Sequence, residues 1–336
     1  MPKPIRLTAS KSSRINKPSV GKKPALPLMP SDIAFLKDFD EKKSLRQARS
    51  KAQQEKLQDD GPAELEWQLQ VSTIPDIVKS MRIVLDRMWA PIPEKGLGRE
   101  GRGDVYHFRK SIPPLVRTTH LYAIYPDNST YVDREIRTAC EDGTVRRLVV
   151  NLVEGSDLLI ESTHYYAILD EQVRKYEESL SKSEDEGSKV VTSAIVKALK
   201  IFKKLLIKNP TAISLSLSEL EDVDLAKLRN NLLSLGFLTL QSGQMDSFVI
   251  SVPNIGSYLR LVASSRKWII RNLDKMSWKE LLESTLQERW ESNKTYWYDF
   301  KGCLLEWVLY DCFGGGWCEP FKTPVGRGWK LTGKKG

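Results

Sequence analysis

The 336-residue sequence has little of what builds metal centres or disulfide frameworks, with only four cysteines and three histidines. Cys140, Cys303, Cys312 and Cys318 include no C-x-x-C pair, and His107, His120 and His164 lie far from the C-terminal cysteine group. A zinc site wants two close ligand pairs, so neither a metal nor any other cofactor is expected. The thiols read as reduced and mostly buried, as in a cytosolic or nuclear protein. Long apolar runs are missing too. None approaches the roughly 18 residues of a membrane span, so no membrane partner is expected. The N-terminal basic residues lead into no hydrophobic segment, which argues against a secretory signal.

What is there is positive charge. Lys and Arg total 52 against 43 Asp and Glu, a formal charge of +9. That balance suits a polyanionic partner. The charge starts early: Lys3, Arg6, Lys11, Arg14, Lys17, Lys22 and Lys23 follow one another with no acidic residue between them. Pro2, Pro4, Pro18, Pro24, Pro27 and Pro30 interrupt the same stretch. With so few apolar residues to offset ordering entropy, residues 1–70 are expected to be a disordered basic tail. Such a tail serves as a nuclear-import signal, a nonspecific DNA-gripping arm or a solubilising segment.

Beyond the tail, helical and strand periodicities alternate. The run Ile77–Leu85 has helical spacing, and Glu94–Asp104 reads as a Gly- and charge-rich loop. Ile112-Pro113-Pro114 is expected to open a helix ending near Tyr125. Ser129 or Thr130 would cap a second helix over Tyr131–Glu141, ended by Gly143. Val145–Val150 and Leu158–Ile160 then make a hairpin. Helix, turn, helix, hairpin is the order of a winged helix. The order recurs: a long helix Val190–Ile207, a short apolar segment Ala212–Leu217, a helix ending at Gly236, a hairpin over Phe237–Leu240 and Phe248–Val252, and a helix Ile255–Lys275. A weaker third round has helices over Trp278–Arg289 and Phe300–Tyr310 and a hairpin within Phe321–Leu331. The expected class is α+β, predominantly helical, with tandem winged-helix units at 75–181, 190–276 and 277–333. A linker is expected at Lys182–Lys189.

The chemistry-bearing candidates are cations. Arg260, Lys267 and Arg271 recur at helical spacings of seven and four, which puts them near one face. Arg266, Lys275 and Lys279 populate the same helix and its exit, while Leu259, Val262, Trp268, Ile269 and Leu273 form a core stripe. Such a face would neutralise phosphates without reading sequence. A second surface is the would-be recognition helix of the first unit, with Thr130, Tyr131, Arg134 and Arg137, beside Arg146 and Arg147 on the adjoining strand. Asp133, Glu135 and Glu141 share that helix and would repel phosphate, so protein contact is an equal alternative there. Trp290, Trp297, Trp307 and Trp317 read as core or as an aromatic partner patch. Gly96-Leu97-Gly98-Arg99-Glu100-Gly101 matches the G-x-G-x-x-G pattern of a phosphate-covering loop. No V-A-I-K lysine and no H-R-D with a downstream Asn follow, and Asp299-Phe300-Lys301-Gly302 only imitates D-F-G. Phosphoryl transfer therefore lacks its base and metal ligands, and no catalytic residue is expected.

Several of these segments together resemble one family. Pro113, Pro114, Leu121, Tyr122, Thr130, Val132, Asp133, Gly143 and Arg146 fall in the order of the serine/threonine-protein kinase 19 family. The likeness continues through LLSLGFLTLQSGQMDSFVISVPNIGSYLRLVASSRKWIIRNLDK, WKELLESTLQER and TPVGRGWKLT, and spans roughly residues 75–332. Arg260, Arg266, Lys275 and Lys279 match basic positions of that family, whereas the Trp-rich stretch Trp290–Trp317 departs from its pattern. The resemblance implies winged helices without a kinase domain, a nuclear, chromatin-associated location and binding to double-stranded DNA. It also implies an adaptor role in transcription-coupled nucleotide excision repair, between stalled RNA polymerase II and the repair helicase factor. Two other readings stay open: a winged-helix protein-interaction scaffold without DNA binding, and, more remotely, an atypical serine/threonine kinase. A homodimer is left open as well.

Overall fold

The computed structural model describes residues 56–70, 76–150, 157–182, 185–216, 225–240, 247–292 and 296–334, within a unit spanning Lys56–Gly336. The basic stretch before residue 56 lies outside the described residues. Residues 56–70, expected to belong to the disordered tail, instead fold against the C-terminal hairpin near Asp60 and against helices at Tyr310 and Ala123. Asp60 donates its backbone N–H to the Lys322 carbonyl at 2.9 Å, and Lys322 donates to Gly61 at 2.8 Å. Leu65 and Trp67 are fully buried, and Trp67 stacks on Tyr310 with centroids 3.8 Å apart. The partner strand lies about 260 residues downstream, so local composition carries no sign of this pairing.

Three helices follow: α1 (Glu66–Gln70), α2 (Ile77–Asp86) and α3 (Arg99–Ser111). Helix α2 buries Ile77, Met81 and Val84, spaced four and three apart, and the Asp76 side chain caps it by accepting from the Lys79 N–H at 2.9 Å. Helix α3 occupies much of the stretch expected as a loop. Its glycines weaken it intrinsically, but Val105 is anchored in the core and Arg109 in the neighbouring loop.

From here one topology is drawn three times. The first round is β1 (Val116–Arg117), α4 (Thr118–Ile124), α5 (Ser129–Glu141), β2 (Val145–Leu148) and β3 (Leu158–Glu161). Ile112-Pro113-Pro114 does not open the helix as expected. Ile112, held extended before a proline, closes α3, and the next helix starts only at Thr118, after β1. Long helices α6 (Ser162–Lys182) and α7 (Glu186–Lys208) lead to the second round: β4 (Ser214–Ser216), α8 (Leu225–Ser234), β5 (Leu238–Leu240) and β6 (Ser247–Ile250). Most of the linker expected at Lys182–Lys189 is helical instead: α6 runs to Lys182, and Asp185 caps α7 by accepting from the Gly187 and Ser188 N–H groups. Helix α9 (Ile255–Asp274) then leads to β7 (Glu280–Leu282), α10 (Glu283–Glu291), α11 (Leu305–Gly314), β8 (Cys318–Thr323) and β9 (Gly326–Leu331). The helix expected at Trp278–Arg289 thus begins as a strand, since Glu280–Leu282 pairs with β9.

Each round closes a three-stranded antiparallel sheet in the order first, third, second strand: β1-β3-β2, β4-β6-β5 and β7-β9-β8. Gly143 and Gly236, at φ 72° and 79°, end α5 and α8 in the left-handed conformation just ahead of the hairpins. The fold is therefore α+β and mostly helical. The buried apolar side chains form one continuous cluster reaching from Leu65 to Trp329. Asp311 of α11 draws the rounds together. Its Oδ1 accepts from Thr119 Oγ1 at 2.6 Å, and its Oδ2 from Arg117 at 3.3 Å and Arg266 at 3.0 Å. Asp311, Arg117 and Arg266 are all buried.

Candidate nucleic-acid interface

Helix α9 sorts its cations by angle. At 3.6 residues per turn, Lys267 and Arg271 fall within about 20° of Arg260 around the helix, and Lys275 within about 60°. These four side chains are exposed, and none forms an ion pair with a described residue. Arg266 is six residues from Arg260, about 120° round the helix. It points inward to Asp311, its guanidinium 3.8 Å from the centroid of the Trp317 ring. A buried, paired guanidinium cannot meet a phosphate, so Arg266 leaves the expected DNA-contacting set. Lys279 is exposed but lies 3.6 Å from the Asp274 carboxylate. An exposed pair of that kind is worth about 0–1 kcal/mol and yields readily to a better anion.

The outward row faces a groove of about 550 Å³. Arg260, Lys267 and Arg271, with Ser257 and Ser264, line one wall, and Tyr298, Asp299 and Lys301 line the other. The second wall is a loop that α3 holds in place. Arg109 donates to the Lys301 carbonyl at 2.7 and 2.9 Å and to the Ala90 carbonyl at 2.6 Å, and its guanidinium lies near both Trp89 and Trp297. Backbone bonds from Ala90 to Gly302 (2.9 Å) and from Leu304 to Met88 (3.0 Å) pin the same loop. Gly302 sits at φ 71°, and a Cβ there would lie 2.3 Å from the Trp297 ring and 2.4 Å from Arg109. Only glycine allows the chain to turn this closely under the clamp. Behind the loop, Phe300 stacks on Trp290 with centroids 4.4 Å apart, and Trp268 meets Trp290 edge-on at 4.9 Å. Trp268, expected in the core stripe, is half-buried and also lines the groove.

The first-round surface is different in kind. Arg146 is fully buried, and its guanidinium donates to the carbonyls of Leu206 at 2.7 Å and Ala212 at 3.2 Å. It satisfies carbonyls at and beyond the C-terminus of α7. Arg146 is therefore a structural tie and not a phosphate contact, a second correction to the expected set. Arg147, its neighbour on the strand, faces out and pairs with Asp157. Arg137 pairs with Glu141 at 2.8 Å, and Arg134 is exposed. Asp133 accepts from the Tyr122 hydroxyl at 2.5 Å. Burial, with that carboxylate, pushes the Tyr122 phenol well above its ordinary value, so it stays a neutral donor. Tyr122, Asp133, Arg137, Glu141, Arg147 and Asp157 line a second cavity of about 780 Å³ in which carboxylates and guanidinium groups alternate. Thr130 and Tyr131 are exposed at the start of α5.

The glycine pattern at Gly96–Gly101 is a turn running directly into α3, whose N-cap is Gly98. Among the described residues, the segment before it holds only an isolated bridge at Trp89 and no strand. Trp290, Trp307 and Trp317 are buried and Trp297 is half-buried against the Arg109 clamp, so the tryptophans serve the core and the groove wall. The four cysteines are buried and free. No group of three or more metal-ligating side chains occurs among the described residues. No described helix is long and apolar enough to cross a membrane. Tyr298 and Arg109 carry no mark in the sequence, and Lys301 stands out there only within the imitation of D-F-G. They reach the groove through a loop and a helix distant in the chain, and no local pattern marks that meeting.

Compared with known proteins, residues 85–331 match the family model described as inactive serine-threonine protein kinase 19. The serine/threonine-protein kinase mug51 of Schizosaccharomyces pombe (strain 972 / ATCC 24843) is 28% identical over 234 residues, covering 67% of this chain and 68% of that protein.

Proposed function

Because the chain belongs to the inactive serine-threonine protein kinase 19 family, we propose that it acts without catalysis, as a double-stranded-DNA-binding adaptor. The observation that carries the DNA half of this reading is the outward row on α9. Arg260, Lys267 and Arg271 on one side of the helix, with Lys275 at its C-cap, are exposed and have no carboxylate partner among the described residues. Such a row neutralises phosphates and releases counterions without reading bases. The three strand–helix–hairpin rounds are read as winged helices, with α9 leading into the third. The adaptor half suits the first round, where alternating Arg137, Glu141, Arg147 and Asp157 favour a protein surface over a polyanion. Family resemblance supplies the setting: the nucleus, and transcription-coupled repair between stalled RNA polymerase II and the repair helicase factor.

The test is duplex binding by fluorescence anisotropy across a salt series. Reversing Arg260, Lys267 and Arg271 to Glu together is expected to reduce the salt slope by roughly three and to leave the melting transition in place. Duplex binding unchanged in that variant removes the α9 face from the interface and favours the scaffold reading. A rise in melting temperature with ATP and Mg²⁺ would revive the kinase reading.

A further inference from the structure

The outward row on α9 accounts for phosphate binding, but not for what stands opposite it. Tyr298 is 63% exposed at the groove, and its ring meets no other aromatic ring among the described residues. The surrounding aromatics Trp290, Tyr296, Phe300 and Trp297 all contact one another or the Arg109 clamp. Tyr298 is thus the one member of this aromatic segment turned out to solvent, on a loop that is firmly held. Beside it, Lys301 supplies a cation and Asp299 a carboxylate.

A duplex offers this wall little along its length. Its internal base faces are covered by stacking, and the phosphates that flank its grooves are repelled by Asp299. An unpaired strand offers more. A splayed base has a free face for the phenol ring, and base–aromatic stacking is the recurrent device of single-strand grooves with cationic walls. An exocyclic amino group or a ribose hydroxyl can donate to a carboxylate, as Asp and Glu accept from cytosine N4 elsewhere. The volume, about 550 Å³, is on the scale of small-ligand pockets of roughly 300–1,000 Å³ and not of a helical duplex.

We infer that the groove between α9 and the Tyr298–Lys301 loop takes single-stranded nucleic acid, with one unpaired base stacked on Tyr298 and its flanking phosphates on Arg260, Lys267, Arg271 and Lys301. This rests on the DNA-binding reading above and extends it to a duplex with a frayed or single-stranded flank. The full chain is tested by anisotropy on three probes of one sequence: a single strand carrying 2-aminopurine, a blunt duplex, and a duplex with a single-stranded overhang. Tyr298→Ala is expected to weaken the single strand and the overhang roughly tenfold or more and to abolish quenching of 2-aminopurine. The blunt duplex should stay within about twofold, and Tyr298→Phe should bind like the wild type, since stacking needs the ring and not the hydroxyl. Equal losses on all three probes, or no loss on any, overturn the inference. So does competition by an acidic peptide in a protein that binds no single strand, which would make the groove a protein site. The triple reversal on α9 separates the two levels. If it abolishes duplex binding while Tyr298→Ala is silent, only the stacking site fails; if it leaves duplex binding intact, the reading beneath it fails.

Discussion

Arg260 and Arg266 belong to one helix and serve opposite ends. Arg260 stands in solvent on the rim of the groove, in a row with Lys267 and Arg271. Arg266 is held between the Asp311 carboxylate and the face of Trp317, in a buried node that also takes in Arg117 and Thr119. The outer side invites a mobile polyanion, because high dielectric makes each pair weak and exchangeable. The inner side fixes a single carboxylate, because a desolvated ion pair is costly to open once it is formed. One basic segment therefore places its cations in two different environments, and only geometry separates them. The inner node joins α9 to β1 and α11, so the cations outside stand on a helix tied into the core.

The largest expected effect breaks the inner side. Asp311→Ala leaves two buried guanidinium groups without their shared carboxylate and should lower stability by about 3–5 kcal/mol. Arg260→Ala should change it by less than about 0.5 kcal/mol. Urea unfolding of both variants checks the contrast, and equal stabilities would erase the distinction between the two faces.

Next in size is a pH effect beside the same node. His120 is fully buried, with Nε2 3.2 Å from the Trp307 carbonyl and its ring 4.4 Å from that indole. Burial first of all, with Arg117 adding to it and Asp311 opposing it, lowers its pKa from the ordinary 6.5 to about 4. The folded state therefore keeps the ring neutral while the unfolded chain takes up a proton. This contribution is intact above pH 6.5 and is lost progressively as pH falls toward 4, a total of about 3 kcal/mol. The stability difference between wild type and His120→Gln should shift by that amount across the window. A constant difference between pH 7 and 4 would remove His120 as its source.

Gly302→Ala strikes the outer side through its support. A left-handed φ of 71° and a Cβ placed 2.3 Å from Trp297 force the loop to shift. The expected loss is about 1–3 kcal/mol. Because the clamp sets where Tyr298 and Lys301 stand, single-strand affinity should fall together with stability. Retained affinity at reduced stability would mean that the groove wall is not positioned by Arg109.

How far these two sides could be read in advance depends on the distance of each cause. The spacing of Arg260, Lys267 and Arg271 is local, and the outer row follows from it. Arg266 joins that set in the sequence because it lies on the same helix and also matches a basic family position. Residue type transfers by resemblance, but the 120° turn that buries it does not. Arg146 and Arg147 show the same effect in a strand, where neighbours alternate between faces and only one can be exposed. The repeated helix-and-hairpin order was legible because Gly143 and Gly236 mark the helix ends within the sequence itself. The two- and three-residue strands β1 and β7 were not, since each exists only through pairing with a distant partner. The Tyr298 wall is the extreme case, placed by an arginine about 190 residues earlier in the chain.

The smallest predicted effect discriminates most finely between the faces. Lys275→Ala should reduce the slope of log affinity against log salt by about one and leave stability unchanged, because one exposed ammonium group releases about one counterion on binding. Arg266→Lys should do the reverse. It keeps the charge, but an ammonium group cannot reproduce the guanidinium's planar contact with Trp317 or its two N–H bonds to Asp311, so stability should fall while the slope stays the same. Net charge alone predicts the same two slopes, since Lys275→Ala removes one positive charge and Arg266→Lys none, but it predicts no change of stability in either variant. If stability moves in neither variant, Arg266 is not the structural tie that its contacts with Asp311 and Trp317 describe. If slope and stability separate as described, the orientation of each cation on α9 decides whether it grips DNA or holds the fold.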